Sequence, residues 1–213
     1  MQLNRLSASE QIFQDIVEKI RRREILPGQK LVIKTIQDTY SVSSTPVRDA
    51  LNKLYHFGFV DLKCSATANV IAMTETEQYQ LVDLNEELLR MSFRLMMNNG
   101  TISQMREKME PFYQKELELV GNTAAKRLKA FLDFAEVPSN MTGNAFYSDM
   151  TDVLYGKTMV AFGDCTDVFE PDEAMENSRK MMEALQEEDW ERFQLLRFYM
   201  TDGFRRYLDR FRT

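Results

Sequence analysis

Hydrophobic positions in the first sixty residues recur at helical spacing in three short runs. Ile12, Phe13, Ile16, Val17 and Ile20 share one face behind Ser7-Ala8-Ser9-Glu10, which has the S-x-x-E form of a capping box. Arg21, Arg22 and Arg23 close that helix on the favourable side of its dipole and read as a solvated helix end; Leu26-Pro27-Gly28 is the turn that stops it. Ile33, Ile36 and Tyr40 predict a second helix over about 33–40, and Ser41-Val42-Ser43-Ser44 a tight turn. A third helix starts around Ser43, takes Pro46 in its first turn where a missing N–H costs little, and lines up Val47, Ala50, Leu51 and Leu54 before Gly58. Two β-rich segments, 59–62 and 69–73, bracket the small-residue loop 63–68 and predict a hairpin. Helix, helix, helix, hairpin is the order of a winged helix-turn-helix.

After Met73 the pattern is helical throughout. Thr74-Glu75-Thr76-Glu77 is a second capping box, opening a long helix through Tyr79, Leu81, Leu84, Leu88, Met91 and Leu95 to Asn98-Asn99-Gly100. Further helices are predicted at about 101–119, 123–135, 144–162, 172–187 and 189–211, with breaks at Gly121-Asn122, 138–143 and 163–171. Six helices make a bundle. The expected fold class is mainly α: an N-terminal winged helix-turn-helix, residues 1–73, followed by an all-α helical bundle, residues 74–213.

Charge follows the same division. Residues 1–73 hold 10 Lys or Arg against 7 Asp or Glu, net +3, whereas residues 74–213 hold 17 against 26, net −9. A basic head on an acidic body suits local nucleic-acid contact, and a net charge of −6 over 213 residues excludes a chain that coats nucleic acid with its whole surface. Two cysteines, Cys64 and Cys165, make neither a disulfide framework nor a CxxC zinc site. With His56 the lone histidine, and with no GxSxG, Walker loop or HExxH, the composition argues against an enzyme. No apolar run approaches the roughly 20 residues of a membrane span, and Met1 to Glu10 lacks a leader pattern, so a cytoplasmic protein without membrane contact is expected.

Leu26-Pro27-Gly28-Gln29-Lys30-Leu31, followed by Val42-Ser43-Ser44-Thr45-Pro46-Val47-Arg48-Asp49-Ala50-Leu51-Asn52-Lys53-Leu54, resembles the GntR family of bacterial transcription regulators. The all-helical second half and the Thr74 junction make the chain similar to the FadR subfamily, whose C-terminal domain is the FCD type. The resemblance implies a DNA-binding domain over 1–73, an effector-binding and dimerisation domain over 74–213, and a homodimer on a near-palindromic double-stranded operator. It also implies an unidentified small-molecule effector, and transcriptional regulation, chiefly repression. The alternative is a degenerate member that keeps the bundle and acts mainly through protein–protein contacts.

The DNA-binding candidates are Arg48, Lys34, Ser43, Ser44, Thr45, Pro46 and Lys30. The first turn of the third helix offers backbone N–H groups and a positive dipole end, the hydroxyls can donate to backbone oxygens, and Arg48 can reach a guanine edge or a phosphate. The other reading of Arg48 is a solvated side chain paired with Asp49 or Asp38. Departures from the family pattern thin the basic surface: Ser44 stands where Arg is usual, Ile33 replaces a common Glu, and Cys64-Ser65-Ala66-Thr67-Ala68 lacks the usual wing Arg and Gly. DNA binding weaker than in a typical member is expected.

In many FCD domains an Asp and three His hold a divalent metal. The corresponding positions fall near Gly143, Tyr147, Ser178 and Met200, so no His-ligated metal is expected, which leaves only carboxylate sites of the kind that suit Mg²⁺ or Ca²⁺, and no cofactor is expected. The family's effector Arg is replaced near Asn85, which makes a small organic acid a doubtful ligand. Asn85, Tyr147, Ser178 and Met200 are the candidate effector-pocket residues. The methionines and aromatic residues of the second half read first as a soft core and second as a pocket for an apolar effector.

Overall fold

The structure, a computed structural model, describes residues 6–64 and 67–210, with only the backbone described for Lys63 and Cys64. Along the chain run α1 (Ala8–Arg21), β1 (Lys30–Val32), α2 (Ile33–Tyr40), α3 (Ser44–His56), β2 (Val60–Cys64), β3 (Thr67–Val70), α4 (Glu75–Asn99), α5 (Met105–Glu118), α6 (Ala124–Asn140), α7 (Ala145–Phe162), α8 (Pro171–Gln186), α9 (Trp190–Arg197) and α10 (Tyr199–Asp209). Contacts divide them into two compact units. The first runs to Thr74 and includes Asp152–Gly163; the second comprises Glu75–Thr151 and the chain from Asp164 onward.

In the first unit Ser7 caps α1 by accepting from Glu10 N at 3.2 Å. The carboxylate of Glu10 meets Lys53 and, at 3.1 Å, the Gln14 amide. Of the stripes the spacing predicts, Ile12, Ile16 and Ile20 on α1, Ile33 and Ile36 on α2, and Val47, Ala50, Leu51 and Leu54 on α3 are buried, whereas Phe13, Val17 and Tyr40 are half-buried. The sheet has the order β1-β3-β2, both pairings antiparallel. The hairpin is as expected, but its second strand lies earlier, and its wing tip, Ser65-Ala66, is outside the described residues. The third strand, β1, is an addition: three residues are too few to show a period, and the free edge of β3 recruits them with Lys30 opposite Asn69 and Val32 opposite Thr67.

Part of α7 completes this core. Leu154, Met159, Val160 and Phe162 are buried, and α7 passes the α3–β2 turn so closely that a Cβ on Gly156 would lie 1.8 Å from Phe57 O. The expected solvated end at Arg21–Arg23 is corrected here. Arg21 and Arg22 both pair with Glu18, while Arg23, at φ 61°, donates through Nη1 to Val160 O at 2.5 Å and through Nη2 to Ala161 O at 2.6 Å. Residues 137 and 138 positions ahead supply the two acceptors, and local spacing carries no trace of that.

In the second unit α5, α6 and α8 pack mutually, α9 lies on α8 and α10 on α4. Met96, Met105, Met109, Phe134, Val137, Met181, Met182, Leu185 and Phe193 form the core, with Trp190 packed against it. A methionine-rich core was expected, yet Met97, Met150 and Phe146 face outward, Phe146 with 85% of its surface exposed. Three element boundaries differ from the pattern. A 3-10 turn at Thr101–Gln104 precedes α5; α6 continues through Pro138 to Asn140; and the last predicted helix is two, because Phe198 at ψ −7° breaks it. No helix among the described residues is long and apolar enough to cross a membrane.

Candidate nucleic-acid interface

The turn between α2 and α3 takes three residues. Ser41 closes α2 in the left-handed conformation, φ 53° and ψ 47°, Val42 N donates to Gln37 O at 3.2 Å, and Ser43 is extended at the head of α3. Ser43 makes no side-chain cap, and Pro46, third in the helix, has no N–H to satisfy. Ser43 and Thr45 are exposed, Ser44 and Pro46 half-buried.

Burying Val47, Ala50, Leu51 and Leu54 against α1 and α2 fixes the rotation of α3, and that rotation turns Thr45, Arg48, Asp49, Asn52 and Tyr55 to solvent. Thr45, Arg48 and Asn52 follow at i, i+3 and i+7 and so share a face. Asn52 was missed by reasoning from the motif, which treats its position as variable; the buried stripe already placed it beside Arg48. Lys30 is exposed at the start of β1, and Lys34 is exposed on α2, donating to Asp38 Oδ1 at 2.8 Å. An exposed i,i+4 pair of this kind contributes about 0.3–0.5 kcal/mol and is readily exchanged for a phosphate. The remaining described cations of the head serve the fold. Lys19 pairs with Asp15, which also accepts from Tyr40 and thereby raises the tyrosine's pKa beyond the effect of burial. Lys53 sits 4.8 Å above the Phe13 ring and holds the Glu10 carboxyl below its ordinary range.

Residues 8–63 match the family described as bacterial regulatory proteins, gntR family. They span α1 through β2 and contain every residue of the exposed α3 face, so the chain carries a gntR-type DNA-binding domain. Solved structures resemble the chain over nearly its whole length. Escherichia coli McbR/YncC has a TM-score of 0.70 at 17% identity, covering 97% of this chain and 99% of its own. A transcriptional regulator GntR from Rhodococcus sp. RHA1 has a TM-score of 0.70 at 14% identity over 97% and 100%. Lar, which controls expression of the Listeria monocytogenes agr system, has a TM-score of 0.65 at 17% identity over 99% and 100%. At these identities the likeness is one of fold: a gntR-type winged helix-turn-helix followed by a helical C-terminal domain. No curated protein matches the chain.

Of the effector candidates, Tyr147 is buried on α7 and its hydroxyl donates to Leu88 O at 3.0 Å, three residues along α4 from Asn85. Ser178 is buried on α8 and donates to Ala174 O at 3.3 Å; Met200, on α10, is half-buried. Both hydroxyls thus meet backbone carbonyls, and that of Tyr147 also lies 3.4 Å from Ser139 Oγ. Two buried charged groups were not foreseen, Glu116 on α5 and Arg197 on α9. Among the described residues no group of three or more His, Cys, Asp or Glu side chains could hold a metal ion.

Proposed function

We propose that the chain is a dimeric, effector-responsive transcription regulator of the FadR type, acting in the cytoplasm chiefly as a repressor. In this reading residues 1–73 bind DNA, and residues 74–213 form an FCD-like domain that dimerises and senses the effector. One observation carries it: the face of α3 opposite its buried stripe presents Thr45, Arg48 and Asn52 together, inside the segment that matches the gntR family. With α3 in the major groove, Arg48 takes a guanine O6/N7 edge and Asn52, one turn on, an adenine N6/N7 edge, while Lys30, Lys34 and the hydroxyls of Ser43, Ser44 and Thr45 hold phosphates. Two heads related by a two-fold axis read a near-palindrome.

Titrating salt against binding to the promoter region of the chain's own coding sequence tests this. With Lys30 and Lys34 of both heads neutralising about four phosphates, the log–log slope is expected to be about −3.6. Arg48→Ala is expected to weaken operator binding by about 1–3 kcal/mol and to erase discrimination at one base pair per half-site, with scrambled DNA bound nearly as before. A slope near zero favours a scaffold working through protein contacts and refutes the DNA reading.

A further inference from the structure

The acids on the first two helices of the head are all engaged. On α1, Glu10 holds Lys53, Asp15 holds Lys19, and Glu18 holds Arg21 and Arg22; on α2, Asp38 holds Lys34. Asp49 on α3 is different. It is exposed, and among the described residues no cation pairs with it. Lys53 stands four residues further along α3, the spacing at which an acid and a following lysine support a helix. Yet Lys53 turns away, to Glu10 and the Phe13 ring of α1.

Position on α3 decides what this carboxylate meets. Thr45, Asp49, Asn52 and His56, at i, i+4, i+7 and i+11, are all exposed and run along the side opposite Val47, Ala50, Leu51 and Leu54. In the docking proposed above that side enters the major groove, which carries Asp49 between two phosphate backbones, where an unpaired carboxylate is repelled. A donor on a base edge offsets the repulsion. The carboxylate can only accept, so guanine N7 and O6 and thymine O4, acceptors themselves, turn it away. Adenine sets its N7 acceptor beside the N6 amine, whereas cytosine presents the N4 amine alone. We propose that Asp49 is a specificity-determining residue, accepting from the N4 amine of one cytosine in each half-site and disfavouring the other bases there. The inference rests on the DNA reading and adds a second sign to it: Arg48 and Asn52 attract particular bases, while Asp49 also weakens binding to duplexes that lack its cytosine.

Selection from a randomised duplex pool by the full chain, followed by anisotropy titration of the selected duplex and of the unselected pool at about 50 mM salt, tests this. The parent is expected to require a C·G pair at a fixed place in each half-site. Asp49→Ala is expected to lose about tenfold of discrimination at that pair, to keep the preference that Arg48→Ala removes, and to bind the unselected pool about two- to threefold more tightly. Asp49→Asn is nearly the same size and donates as well as accepts, so it is expected to move the preference from cytosine to adenine, a change that a merely structural role would not produce. The proposal is overturned if either variant selects the parent's sequence unchanged, if discrimination falls evenly at every position, or if the variants lose the parent's circular dichroism and melting. A parent that selects no sequence and shows a salt slope near zero refutes the regulator reading itself. A parent that selects an operator without a required cytosine removes only the role of Asp49.

Discussion

Glu116 shows how much one misplaced charge says about a protein. It follows Met105 and Met109 on the inner face of α5, where the pattern calls for an apolar residue, and it is 3% exposed with Oε2 buried and unpartnered. Ser178 and Arg127 lie near enough to favour the carboxylate, but Arg127 is already paired with Asp172, and burial outweighs both and pushes the carboxyl up to about 7. The folded chain therefore holds this proton more tightly than the unfolded chain, whose value is near 4.5. Stability present below about pH 4.5 is lost as pH rises through 7, by about 3 kcal/mol at most. Melting between pH 5 and pH 8 should fall for the parent and stay nearly level for Glu116→Gln; a level parent curve would refute the assignment. Glu10 and Glu86 act in the opposite sense. Lys53 holds the first down and Arg90 with Arg205 the second, so their contributions fade only as pH falls below the ordinary carboxylate range.

Among elements, α7 departs furthest from what its own sequence suggests. Apolar residues lie all round it, so periodicity predicts a helix without saying which side faces what. Gly156 resolves one side. Glycine inside a helix is about 0.5–1 kcal/mol worse than alanine, yet a Cβ there would lie 1.8 Å from Phe57 O. The opposing Gly58, at φ +75°, has Val153 O 2.4 Å from where its own Cβ would be. Backbone meets backbone, and neither can give way cheaply. Gly156→Ala is therefore expected to destabilise the chain by about 2 kcal/mol despite better helix propensity, read as a lower urea midpoint at unchanged m-value. A raised midpoint would show that propensity governs the site.

At the scale of the molecule, the first unit is discontinuous in sequence: it draws Asp152–Gly163 from a helix that begins in the second unit. A fragment ending at Thr74 carries the whole gntR-type segment but loses the acceptors of Arg23 at Val160 and Ala161 and the buried Leu154, Met159, Val160 and Phe162. Such a fragment is expected to unfold at least 10 °C below the intact chain, by several lost contacts each worth about 1 kcal/mol or more in a small domain. Adding a peptide of residues 152–163 should recover part of the loss. A fragment as stable as the full chain would mean that the α7 segment contributes nothing to the head. The charge division of +3 against −9 belongs to the same scale, since it leaves the basic surface on the unit that carries the exposed α3 face.

The gntR-type head was legible because short-range physics builds it. The Ser7 cap, Pro46 in a first turn, and apolar residues three and four apart specify each helix and the side it buries, and burying that side leaves only one face of α3 for Arg48 and Asn52. The helical character of residues 74–209 was legible for the same reason. Contacts between distant residues decided the rest: the recruitment of Lys30–Val32 by a strand nearly forty residues on, the clasp of Arg23 on Val160 and Ala161, the near contact of Gly156 with Phe57, and the burial of Glu116 and Arg197. A hydrophobic period records how a segment divides its own surface between inside and outside. It holds no information about which partner fills the inside, so interior charges and close backbone approaches emerge only when the chain is folded.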